Sequence, residues 1–276
     1  MMEYIATLIT NNPSDIADFK AGRDVTREGW KKEGAAYHVI FSGDPAQPLR
    51  VSQDDVDVLI EPYPPAPKKL LISDMDSTMI QQECIDELAD FAGLKAHVAA
   101  ITERAMNGEL VFEEALRERV ALLKGLPVET LQECFDKKIT AMPGALELVR
   151  TFKKQGGKAV LVSGGFTFFT ERVAKMLGFD EHYSNILEIE NGKLTGIVRE
   201  PILGKEAKLA ELERQCEMLG IGRENVIAIG DGANDLPMLK AAGLGIAYHA
   251  KPVVQAEANA RINHGDLGAV VHVIPA

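Results

Sequence analysis

The spacing of hydrophobic and polar positions changes three times along the chain, and each change predicts a different kind of structure. In residues 1–61 the apolar runs are short and scattered. Tyr4–Ile9 and Tyr37–Phe41 have strand character, Asp57–Ile60 suits a further strand, and Ser14–Lys20 has the spacing of a short helix capped by Asn12 or Ser14. This predicts a small α+β module. The segment Glu61-Pro62-Tyr63-Pro64-Pro65-Ala66-Pro67-Lys68-Lys69 then interrupts every period. Its prolines forbid a helix and favour extended geometry, so residues 62–69 read as a semi-rigid linker.

Beyond the linker, Leu70-Leu71-Ile72-Ser73 is a short apolar run ending at Asp74, the signature of a strand buried on both faces. Residues from about 82 to 139 then keep helical periodicity, with Leu116, Val120 and Leu123 on one face. Gly93, Gly108 and Gly125-Leu126-Pro127 divide that stretch into about four helices. From residue 144 onward the two periods alternate. Gly144–Gln155, Phe166–Leu177, Lys205–Leu219 and Leu236–Ala242 read as helices; Lys158–Val162, Val226–Ile229 and Leu244–Ala247 read as strands. Asn191-Gly192, between Ile186–Glu190 and Leu194–Val198, is a strong hairpin signal. Alternation of this kind predicts a parallel sheet covered on both faces. The expected fold is therefore α/β: a Rossmann-like parallel-sheet core over residues 70–276, an inserted helical cap at about 82–139, and the N-terminal α+β module at 1–61.

Composition narrows the function classes. The chain has 276 residues, 46% hydrophobic and 26% charged, a globular balance. No apolar run approaches the ~20 residues that span a bilayer, so no membrane partner is expected. The start, MMEYIATLIT, has no basic n-region and does not read as a secretory signal. Cys84, Cys134 and Cys216 are widely separated, which fits a reducing cytoplasm. A net charge of −11 argues against nucleic acid as a partner. It also repels an anionic substrate, so attraction must come from local cations or a metal.

The candidate chemistry falls at strand ends, where open parallel sheets bind their ligands. Asp74-Met75-Asp76-Ser77-Thr78 follows the first core strand and Ser163-Gly164-Gly165 the second. Gly230-Asp231-Gly232-Ala233-Asn234-Asp235 follows a third, and Lys208 lies on the helix before it. Carboxylates from neighbouring strand ends form an oxygen-rich pocket suited to a hard cation such as Mg²⁺. A serine hydroxyl, glycine amides and a helix N-terminus can hold phosphate oxygens, with a lysine balancing the charge. Any one of these pieces is common as a helix cap, a turn or a solvated lysine; the ordered set is not. Other motifs fail: Asp235 stands where a dinucleotide fingerprint needs its third glycine, Leu161 precedes Ser163 where a nucleophile elbow needs glycine, and no GxxxxGK[ST] loop exists.

The ordered set DxDxT, SGG, Lys and GDGxND resembles the haloacid dehalogenase superfamily of aspartate-nucleophile phosphatases and, within it, the enzymes acting on phosphoserine. The resemblance covers about residues 70–272, including the helical cap. It implies a Mg²⁺-dependent phosphomonoesterase that hydrolyses O-phospho-L-serine, with Asp74 as nucleophile and Asp76 as general acid and base. By the same resemblance Asp74, the backbone carbonyl of Asp76 and Asp231 hold the metal, with Asp235 and Asn234 supporting the metal or phosphate. Ser163, Gly164 and Lys208 bind phosphoryl oxygens, although Lys205 is an alternative to Lys208. Glu83 is expected to take the substrate ammonium, Arg119 its carboxylate, and Met106 and Phe112 to close over it. Glu83 as a helix-dipole partner, Arg119 as an ion-pair partner of Glu114 or Glu118, and Met106 and Phe112 as plain cap core are the competing readings. The N-terminal module is short for the regulatory domains that often precede this catalytic unit. The rival functions are a same-fold phosphatase or phosphotransferase for another small phosphometabolite, such as phosphohomoserine, and a phospho-accepting signalling module. A general acid two residues after the nucleophile favours turnover over a persistent acyl phosphate. The sequence leaves the oligomeric state open.

Overall fold

The computed structural model of the protein describes residues 2–10, 12–32, 35–44, 56–258 and 260–274. Its N-terminal part is β1 (Glu3–Ile9), α1 (Pro13–Lys20), β2 (Asp24–Lys32), β3 (Ala36–Ser42) and β4 (Asp57–Pro62). The strands form an antiparallel sheet in the order β2-β3-β1-β4. Asn12 is the cap of α1, its side chain accepting from the Ser14 amide. Ala6, Leu8, Phe19, Val39 and Phe41 form a small core between sheet and helix. β4 carries one residue of the expected linker, Pro62, which is tolerated because β4 is an edge strand.

The core begins with β5 (Leu70–Ser73), in which all four residues are fully buried. Four cap helices follow: α2 (Cys84–Asp90), α3 (Lys95–Met106), α4 (Phe112–Leu122) and α5 (Glu129–Lys138). The chain then returns through α6 (Ala145–Lys154), β6 (Lys158–Phe166), α7 (Thr167–Leu177) and β7 (Glu181–Asn185). The hairpin of β8 (Leu187–Glu190) and β9 (Lys193–Val198) turns at Asn191-Gly192, both with positive φ, as a tight primed turn requires. It ends with α8 (Lys205–Leu219), β10 (Val226–Gly230), α9 (Leu236–Ala241), β11 (Leu244–Tyr248), α10 (Pro252–Glu257) and β12 (Ala260–Ile262).

The parallel sheet has the order β12-β11-β10-β5-β6-β7. Alternation along its strands sorts the apolar side chains into two layers. Leu71, Leu161, Ile227 and Ile229 pack with α6, α7 and the cap, whereas Leu70, Ile72, Val160 and Val226 pack with Leu212 of α8 and Met238 of α9. Each fully buried Leu or Ile contributes roughly 1.5–3 kcal/mol. The topology places β10, β5 and β6 side by side, so the three strand ends singled out from the sequence are neighbours at one edge.

The pattern does not predict β2, β7 or β12, and β6 runs on to Phe166, so that Ser163-Gly164-Gly165 lies within its end. Regular pairing with β7 nevertheless stops at Val162, which frees the next backbone groups. The two sheets are joined by polar contacts. Asp57 of β4 is buried and accepts from the amides of Asn263 (2.7 Å), His264 (3.3 Å) and Gly265 (2.7 Å). Glu61 and Lys68 form a buried ion pair, and Asn225 Nδ2 donates to the Pro67 carbonyl at 2.8 Å.

Candidate active site

Asp74 is the first residue past β5, and its amide is fixed by the Ile229 carbonyl of β10 at 2.9 Å. Its Oδ1 accepts from the Met75 amide (2.8 Å) and from Lys208 Nζ (2.8 Å), which leaves Oδ2 as the less engaged oxygen. Lys208 is fully buried and also donates to Asp235 Oδ1 at 2.6 Å. Lys205 is exposed and lies beside Glu206. Of the two lysines, only Lys208 reaches the aspartates.

Asp235 anchors the third loop from below, its Oδ2 accepting from the amides of Asp231 (3.2 Å) and Gly232 (3.1 Å). Glycine at 230 makes this possible, since a Cβ there would sit 2.4 Å from Asp235 Cγ. Asp231 is buried, and its Oδ1 accepts from the Thr78 hydroxyl at 3.1 Å.

Carboxylate oxygens of Asp74, Asp231 and Asp235 all lie within 4.8 Å of one another. Three buried carboxylates face one buried ammonium, an unfavourable balance unless protons or a cation supply the missing positive charge. Burial is the main cause that raises Asp74 to about 7; Asp235 adds to it and Lys208 opposes it. Asp231 is pushed well above the usual carboxylate range by burial and then by Glu83, Asp74 and Asp235. An all-oxygen, acidic, partly shielded donor set of this kind fits a hard divalent cation.

Asp76 turns away from that cluster. Its Oδ1 accepts from the Cys84 amide at 3.3 Å, and its Oδ2 lies 3.0 Å from where a Cβ on Gly165 would stand. Burial, followed by the nearby Glu83, holds its carboxyl well above the usual range, which favours its protonated form. Cys84 is buried beside it, and burial pushes its thiol up, away from nucleophilic use. Ser163 is buried with its hydroxyl accepting from the Gly165 amide at 2.8 Å, and the Gly164 carbonyl is held by Asn185 Nδ2 at 2.8 Å.

The cap closes over this floor. Asp74, Asp76, Glu83, Met106, Phe112, Arg119, Ser163, Gly164 and Asn234 line one cavity, together with Ile85, Leu116, Gly165 and Phe166. Its volume is only about 20 Å³, room for about one water. Phe112 Cζ would be 2.5 Å from a Cβ on Gly164, and Met106 Sδ 2.7 Å from one on Gly232, so both cap side chains rest on glycine backbone. Asn234 Oδ1 is buried with no partner among the described residues.

Glu83 stands at the start of α2 and accepts from Ser77 Oγ at 2.6 Å. Arg119 is 2% exposed and makes no ion pair among the described residues, so the surface pairing with Glu114 or Glu118 does not occur. Its Nε donates to the Ala115 carbonyl (3.1 Å) and its Nη1 to Thr102 Oγ1 (2.9 Å). Thr78, Asp86, Thr102, Ile85 and Leu116 had no expected site role. Thr78 stands inside the first motif and was open to reading; Asp86 and Thr102 carry no local signal.

A family model described as haloacid dehalogenase-like hydrolase matches residues 71–240. A phosphoserine phosphatase of Polaromonas sp. is 50% identical over 211 residues, covering 75% of this chain and 89% of that protein. A phosphoserine phosphatase of Haemophilus influenzae is 46% identical over 226 residues, 80% of this chain and 72% of that one. Among solved structures, a HAD family hydrolase of Salmonella enterica serovar Typhi superposes with a TM-score of 0.85 at 32% identity, covering 99% of this chain and 98% of its own. A substrate-bound phosphoserine phosphatase complex gives 0.73 at 41% identity, covering 76% of this chain and 100% of its own.

Proposed function

Because this chain belongs to the haloacid dehalogenase-like hydrolases, we propose that it hydrolyses O-phospho-L-serine to L-serine and phosphate through an aspartyl-phosphate intermediate. The carrying observation is one cavity that joins the proposed nucleophile and acid with a buried arginine and an acidic side chain. A zwitterionic phosphate ester needs all four. The phosphoserine phosphatases to which the chain is similar support the same substrate.

In this reading Asp74 attacks phosphorus through its less engaged Oδ2, while Lys208 holds Oδ1 and favours the ionised form against the pull of burial. Asp76, whose protonated form burial favours, gives its proton to the departing serine oxygen, a contribution typically worth ~10²–10⁴-fold. The same carboxylate then takes a proton from the water that cleaves the aspartyl phosphate. Ser163, the Gly164 amide, Lys208 and the Asn234 side-chain N–H hold phosphoryl oxygens. Arg119 takes the carboxylate and Glu83 the ammonium. Asp74 and Asp231, with the Asp76 carbonyl and with Asp235 supporting them, would hold a Mg²⁺ ion, which would neutralise charge on the approaching phosphate.

Residues 1–61 are a separate module joined through 62–69 to the catalytic unit 70–276. The three buried free cysteines suit a reducing cytoplasm, and no described helix is long and apolar enough to cross a membrane. The test is phosphate release from a panel of phosphorylated amino acids, including phosphohomoserine, and sugars, with Mg²⁺ and with EDTA. Phosphoserine is expected to lead with Mg²⁺ and to be inert with EDTA. Another compound leading, or full activity in EDTA, overturns the proposal.

A further inference from the structure

Arg119 sits on α4, yet its guanidinium is fixed by a residue of α3 that is itself fixed by a residue of α2. Arg119 Nη1 donates to Thr102 Oγ1 at 2.9 Å, and Thr102 Oγ1 donates to Asp86 Oδ1 at 2.6 Å. A guanidinium has no acceptor, so the direction of the chain is forced: the threonine oxygen accepts from Arg119 and its single proton goes onward. That proton has two acceptors within reach, the Val98 carbonyl at 3.1 Å and Asp86 at 2.6 Å; the shorter, charge-assisted bond is to the carboxylate. All three side chains are buried, at 2%, 3% and 8% exposure for Arg119, Thr102 and Asp86.

Five donors belong to the guanidinium, and two of them are spent, Nε–H on the Ala115 carbonyl and one Nη1–H on Thr102. With Nε occupied, the edge left for a planar two-toothed bond is the one spanning Nη1 and Nη2. Asp86 also supplies negative charge near a cation that burial destabilises, without occupying the fork, because the hydroxyl stands between them. A direct Asp86–Arg119 ion pair would compete with a substrate carboxylate; a relayed one does not.

We infer that Thr102 and Asp86 are positioning residues that hold Arg119 with its Nη1–Nη2 edge presented to the substrate carboxylate. The inference rests on the phosphoserine reading above. It concerns two residues of the cap that do not line the cavity.

The test compares kcat and KM for phosphoserine and for p-nitrophenyl phosphate in wild type, Thr102→Val, Thr102→Ser, Asp86→Asn and Arg119→Ala. Thr102→Val keeps the shape and removes the hydroxyl. It is expected to raise KM for phosphoserine roughly tenfold with little change in kcat, and to leave p-nitrophenyl phosphate within about twofold. Thr102→Ser restores the hydroxyl and should return KM to near the wild-type value. Asp86→Asn should show the same selective rise, and serves if Thr102→Val does not fold. If Arg119→Ala is selective for phosphoserine while Thr102→Val and Asp86→Asn are not, the positioning inference is wrong and the phosphoserine reading stands. If Arg119→Ala damages both substrates equally, the carboxylate role of Arg119 itself is wrong.

Discussion

At the level of a single side chain, the proposed function assigns the choice of substrate to Arg119. Its replacement by Ala removes charge-assisted hydrogen bonds worth about 1.5–3 kcal/mol, so kcat/KM for phosphoserine should fall roughly 10–150-fold more than that for p-nitrophenyl phosphate, which has no carboxylate. The ratio of the two rates measures this, and an equal fall on both contradicts it. The acidic floor makes a second prediction. Asp74 is raised to about 7, and Asp231 is raised too, so in the metal-free protein the cluster favours folding when protonated and loses that contribution as pH climbs through about 7. A divalent cation competes with those protons. Mg²⁺ should therefore raise the melting temperature more at about pH 8 than at about pH 5.5; an equal rise at both contradicts the assignment of the ion to these carboxylates. At this scale the sequence was legible where motif order carried the chemistry, at Asp74, Asp76, Lys208 and Asp231. It was silent on Asp86 and Thr102, because their link to Arg119 exists only after three helices pack together.

The cap is the element whose position decides whether the site is open. With about 20 Å³ inside, the cavity as it stands is too small for phosphoserine, and in the proposed reaction the cap lifts to admit it. The seat of Phe112 on Gly164 is a contact that closure makes. Gly164→Ala would place a methyl 2.5 Å from the Phe112 ring and keep the cap from seating. kcat should then fall by about tenfold or more on phosphoserine and p-nitrophenyl phosphate alike, unlike the selective loss at Arg119. Unchanged kcat on both would mean that this contact plays no part in closure. The four cap helices were legible because each buries a periodic apolar face, and the central strands because each is a short continuous apolar run buried on both faces. The strands that escaped, β2 (DVTREGWKK), β7 (EHYSN) and β12 (ARI), are all sheet edges. An edge strand is kept polar to discourage pairing with another chain, and this erases the pattern by which strands are recognised.

Across the whole molecule, two features run against its gross character. The chain carries −11 overall, yet Lys208 and Arg119 are concentrated at the site and shielded from solvent by burial. The attraction is therefore local, as the charge balance requires. The proline-rich segment read from sequence as a semi-rigid linker, but the structure pins its ends. Lys68 pairs with Glu61, Pro67 is held by Asn225, and Asp57 gathers three backbone amides of the 263–265 turn. Those amides come from a part of the chain some two hundred residues away, which no local reading of sequence reaches. Asp57→Ala would leave buried donors unpaired, at about 1–3 kcal/mol for an unsatisfied group, and should lower the melting temperature by several degrees while leaving kcat/KM for phosphoserine within about twofold. A large loss of activity in a still-folded variant would show that the N-terminal sheet influences the distant site.

The central claim is that Asp74 becomes covalently phosphorylated during turnover. The measurement is acid quenching of the enzyme with Mg²⁺ and radiolabelled phosphoserine during the first turnovers, followed by peptide mapping. The account predicts label on the peptide containing Asp74, lost on treatment with hydroxylamine, and neither label nor phosphate release in Asp74→Asn. Phosphoserine hydrolysis by Asp74→Asn at the wild-type rate, or turnover in the wild type with no label at Asp74, would contradict it.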